Sequence, residues 1–108
     1  MATKLGDLLE GAVERAGAAD QVLAVRVLDY TASVLREFFG DAADQYLQPR
    51  SFRHGAISLT VAAPAASLEV RRREHELLQR LRRRFPRVRI ERLQLLPGEV
   101  GPTSDGGR

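Results

Sequence analysis

The chain has 108 residues, 44% of them apolar, no cysteine, and a formal charge of +3. That is enough for one small packed domain, and it excludes disulfide frameworks, zinc ribbons and thiol nucleophiles. The charge is lopsided: residues 1–48 hold four bases and eight acids, and residues 49–96 hold twelve arginines and four acids. No apolar run approaches the roughly 20 residues of a membrane span. The absence of cysteine fits a reducing cytoplasm, and the charged start MATKLGDLLEGAVERAG lacks a signal peptide's apolar core, so a cytoplasmic setting is expected.

Leu5, Leu8, Leu9, Ala12, Val13 and Ala16 repeat at helical spacing, with Thr3 as the expected cap and Gly17 as the expected stop. A second helix is predicted from Asp20 to Phe39, apolar over much of its circumference and ended by Gly40, with a further helical turn over 41–45. The period then changes to two. Tyr46–Arg53 and Ile57–Val61 read as an antiparallel hairpin turning at His54-Gly55, with Pro49 marking an edge strand. A third helix is predicted over Ala65–Phe85, burying Ala66, Val70, Leu77, Leu78, Leu81 and Phe85, and Pro86 stops it. Val88–Leu96 is the last strand. Its mixed phase predicts a bulge or a change of environment, and its pairing is expected to be parallel through a right-handed crossover. The tail 97–108, rich in Gly and Pro, is expected to be disordered. The expectation is one α+β domain over residues 3–96 of K-homology-like type. Its order is helix-helix-strand-strand-helix-strand, with the helices covering a three-stranded sheet.

Val70–Arg89 holds nine arginines against Glu74 and Glu76. Such an excess points to a polyanion, with nucleic acid first and an acidic protein second. The candidate contacts are Arg71, Arg72, Arg73, Arg80, Arg82, Arg83, Arg84, Arg87 and Arg89, joined by Arg50 and Arg53 on the first strand. Glu76 and Arg80 are the expected solvated i,i+4 pair. No aromatic stands among these arginines except Phe85, which belongs to the apolar stripe. A grip on the backbone is therefore expected rather than base reading, with Phe52 as the alternative stacking candidate. His54 and His75 lack metal-ligand spacing, and there is no G-x-x-x-x-G-K-[ST] and no G-x-S-x-G. No metal, cofactor, small-molecule substrate or enzymatic activity is expected.

Several local patterns coincide with a known family. They are Leu5-Gly6-Asp7-Leu8-Leu9, Phe38-Phe39-Gly40, Gly55 before Leu59-Thr60-Val61, and Ala63-Pro64-Ala65-Ala66 opening a helix that carries Leu77-Leu78-Gln79-Arg80-Leu81. A closing strand, Val88–Leu93, completes them. Over roughly residues 5–96 the chain resembles the bacterial DciA-type family of replicative-helicase loaders or recruiters. The resemblance implies a K-homology-like fold, a cytoplasmic place, DNA binding with single strands favoured, and partnership with the replicative DNA helicase without an ATPase of its own. The family's usual tryptophans are replaced by Leu35 and Ala66, and many members carry a long helicase-engaging extension where residues 97–108 stand here. Two other readings stay open: an RNA-binding module acting on ribosomes or structured RNA, and a protein-interaction domain with a basic surface.

Overall fold

The computed structural model describes the backbone of residues 2–101 and the side chains from Ala19 onward. The expected Thr3 cap and the Leu5–Ala16 stripe involve side chains outside those described, and so do residues 102–108 of the tail. The first helix, α1, runs unbroken from Ala2 to Phe39. The two helices predicted on either side of Gly17 are therefore one. Glycine permits a left-handed stop but does not impose it, and here Ala16, Ala18 and Ala19 surround it with the strongest helix former. Gly40 does end α1. Its φ of 96° and ψ of 167° lie in a region that only glycine occupies without strain, and its N–H donates to the Arg36 carbonyl at 2.8 Å. A 3₁₀ turn over Asp41–Gln45 follows, as the spacing predicts.

β1 (Leu47–Arg53) and β2 (Ala56–Val61) form the antiparallel hairpin. His54 and Gly55 both have positive φ, as a two-residue type I′ loop requires. Gly55 has a second reason to be glycine: a Cβ there would stand 2.9 Å from Glu91 Cγ. The register slips between Pro49 and Ser51, leaving Arg50 as the extra residue of a bulge. The slip reverses the strand's phase. Phe52 joins Leu47 on the core side instead of alternating with it, and packs partly buried against the core.

The predicted third helix divides into α2 (Pro64–Arg72) and α3 (Glu74–Arg84). Proline occupies the first turn of α2, where its missing N–H costs nothing. At the break, Arg73 has φ −109° and ψ 15°. Its guanidinium sits 3.8 Å from the Phe38 ring and donates to the Phe38 carbonyl at 3.2 Å. That carbonyl belongs to the last turn of α1 and has no partner within its own helix. Arg73 therefore ties the end of α1 to the start of α3.

The final strand, β3, covers only Arg92–Pro97 and pairs parallel with β2, giving sheet order β1-β2-β3 with β1 at an edge. Val88 and Ile90 lie in the connector before it, which explains the mixed phase of the sequence. Ile90 is buried as the chain crosses beneath the helices, while Leu93 and Leu95 face the core from the strand itself. One side of the sheet is covered. Val27, Thr31, Val34 and Leu35 of α1, Val70 of α2 and Leu77 and Leu81 of α3 meet Ile57, Leu59 and Leu93 there. Thr31 enters this core without an unmet donor, because its hydroxyl donates to the Val27 carbonyl at 2.7 Å.

The segment after β3 does not leave the domain at residue 97. The Gly98 N–H donates to the Val61 carbonyl, Arg50 donates to the Glu99 carbonyl at 3.1 Å, and the Gln48 amide exchanges two hydrogen bonds with the Gly101 backbone. The ordered unit thus reaches Gly101, beyond the expected boundary. Composition marks a Gly/Pro stretch as weakly self-structuring but cannot show side chains elsewhere that hold it.

Candidate nucleic-acid interface

Ion pairing sorts the predicted arginines. In α2 and at the start of α3, acids three residues away neutralise them. Arg71 meets Glu74 at 2.7 Å, Arg72 meets Glu69 at 3.2 Å, and Arg73 meets Glu76 at 2.9 Å. Glu76 therefore turns to Arg73 and not to Arg80, against the expected i,i+4 pair. Arg80 crosses to α1 and donates to Glu37 at 2.8 Å. The hydrogen bond to Glu37, and after it one with Tyr30, holds the Arg80 guanidinium above its already high ordinary pKa. The sequence excess of arginine over acid in Val70–Arg89 overstates the free charge. It omits Glu69 just before that window and Glu37 on another helix.

The end of α3 differs. Among the described residues, Arg83, Arg84 and Arg87 make no ion pair. All three are exposed. Arg84 lies against two rings, with its guanidinium carbon 5.0 Å from the Phe85 centroid and 5.7 Å from that of Tyr30. Arg83 lines a shallow concavity with Gln79, Arg82 and Pro86. Arg82 spends its donors on the Ile90 and Glu91 carbonyls, at 2.8 and 3.3 Å, and so folds the connector under the helix. Part of this arrangement serves the helix itself, since cations in its last turn face the negative end of the dipole. Arg87, beyond the end of the helix, stands outside that interaction.

The connector brings further arginines to the same end. The Gly55 carbonyl accepts from the N–H groups of Glu91 and Arg92, which seats the hairpin turn against residues 89–92. Arg53 at that turn is exposed and, among the described residues, unpaired. Glu91 is shared between Arg89 at 2.7 Å and Arg92 at 3.5 Å. Arg50 stands apart from this end. It donates to Thr60 Oγ1 at 3.0 Å and to the Glu99 carbonyl, holding the segment after β3. Phe52 faces the core, which leaves it poorly placed for stacking. Arg92 was not among the candidates from sequence. The alternation of Arg92 and Gln94 with Leu93 and Leu95 is the signal that places it on the sheet's outer side.

Among the described residues, no group of three His, Asp or Glu side chains could hold a metal, and no helix is long and apolar enough to cross a membrane. A comparison with curated proteins finds no match. A family model described as "Dna[CI] antecedent, DciA" matches residues 4–95, which span α1 and almost all of the sheet and its crossover. With that match over most of its length, the chain belongs to the DciA family, and membership implies a role of the helicase-loader type in DNA replication.

Proposed function

We propose that the chain is a non-enzymatic, cytoplasmic adaptor. It grips nucleic acid, single-stranded DNA first, by the phosphate backbone and works beside the replicative DNA helicase. The observation that carries this reading is the set of arginines without an ion pair among the described residues, Arg83 and Arg84 at the end of α3 and Arg87 in the connector that follows. Guanidinium groups without intramolecular acids are free to displace counterions from phosphates. Phosphate contacts carry no sequence information, and no exposed aromatic stands among these arginines in the described residues, which supports a grip on the backbone without base reading. Family membership supports the replicative setting and the helicase as partner.

The test is fluorescence anisotropy with a single-stranded oligonucleotide over a salt series. The Arg83→Gln/Arg84→Gln/Arg87→Gln variant is expected to lose about 2 from the salt slope, at about 0.7 per lost phosphate contact. An unchanged slope means that this end does not meet the nucleic acid. Tighter binding of an RNA oligonucleotide of the same sequence would favour the RNA reading. Co-purification with the replicative helicase at micromolar concentration, with and without DNA, tests the partner.

A further inference from the structure

The outer face of the sheet, opposite the helices, has no part in the reading above. Cross-strand register puts Arg53, Ala56 and Arg92 in one row across all three strands. The next row is Ser51, Ser58 and Gln94. With strands about 4.8 Å apart, the two arginines of the first row stand roughly 10 Å apart on either side of a single methyl group. Arg53 has no ion-pair partner among the described residues, and Arg92 has only the long contact to its neighbour Glu91. Ser58 donates to Gln94 Oε1 at 3.2 Å, which leaves the Gln94 amide N–H groups for an acceptor outside the protein. Gln94 is exposed.

We propose that this face is a second nucleic-acid contact, specific for an unpaired strand, that continues the basic end of α3 around the edge of the domain. The inference rests on the reading of that end as a nucleic-acid surface. Continuity carries it. Arg87 and Arg89 lie in the connector, and that connector runs directly into Arg92, where the hairpin turn is hydrogen-bonded to it through Gly55. The path therefore starts at the end of the helical layer, passes the connector, and arrives on the opposite side of the sheet. A duplex, with a persistence length near 150 bp, does not follow a corner of this size. A single strand does. The face also presents neither a helix nor a protruding ribbon to enter a duplex groove. Arg53 and Arg92 take phosphates along this track, and the Gln94 amide offers a donor to base or sugar oxygens between them.

The experiment compares a single-stranded oligonucleotide with a blunt duplex of equal length, each over a salt series. Arg53→Gln/Arg92→Gln should lower the single-strand salt slope by about 1.4, two contacts at about 0.7 each, and leave the duplex slope unchanged. Gln94→Lys, at an exposed position, should raise the single-strand slope by about 0.7. Circular dichroism melting of each variant confirms that the fold persists. If wild-type protein binds and neither variant alters the single-strand slope, the sheet face is not a contact, while the α3 end stands. Equal losses on duplex and single strand overturn the specificity for an unpaired strand. If wild-type protein binds neither oligonucleotide, both this inference and the functional reading fall.

Discussion

Arg71, Arg72 and Arg73 each find a carboxylate three residues away, whereas Arg83, Arg84 and Arg87 find none among the described residues. The two groups belong to one continuous arginine-rich run and have the same side chain, yet only the second leaves its charge free to act outside the molecule. The difference lies in where the acids stand. Glu69, Glu74 and Glu76 lie within one helical turn of the first group, whereas the second group straddles Pro86 and runs into a connector whose only acid, Glu91, turns to Arg89 and Arg92. The number of arginines in a segment therefore says less about a binding surface than the spacing of the acids around them.

That contrast can be erased on purpose. Replacing Glu69, Glu74 and Glu76 by glutamine should free the first group and raise the single-strand salt slope by up to about 2, measured by anisotropy. An unchanged slope would show that the first group faces away from bound nucleic acid whatever its pairing. Arg73→Ala sharpens the contrast differently, because Arg73 also caps α1 through the Phe38 carbonyl and lies over the Phe38 ring. It should cost about 1–2 kcal/mol in thermal or urea unfolding, with no change in the salt slope. Arg72→Ala removes only an exposed pair, its guanidinium side chain 68% accessible, and should alter stability by no more than about 0.5 kcal/mol.

Much of the architecture is legible in local chemistry. His54-Gly55 marks the hairpin, Gly40 ends α1, Pro49 marks an edge, and the long helical insertion before the last strand leaves room for the parallel crossover that the register shows. Features that depend on distant partners are not legible. Arg73, at the break, meets Phe38, 35 residues earlier in the chain. Arg80 is withdrawn from the candidate surface by Glu37, 43 residues away. The bulge at Arg50 reverses the facing of Phe52, and a strict period-two reading cannot anticipate an inserted residue. The family patterns fared better, because they record spacing across the whole chain, and the match over residues 4–95 agrees with them.

The hydrogen bonds from Gln48 and Arg50 to residues 99–101 join the two outer strands of the sheet without pairing them. β3 cannot peel from β2 at its far end unless β1 also lets go of the segment that follows it. The usual fraying of a short edge strand is thereby converted into a cooperative opening that involves all three strands. The row nearest that end, Gln48, Thr60 and Leu96, is thereby held in register across all three strands.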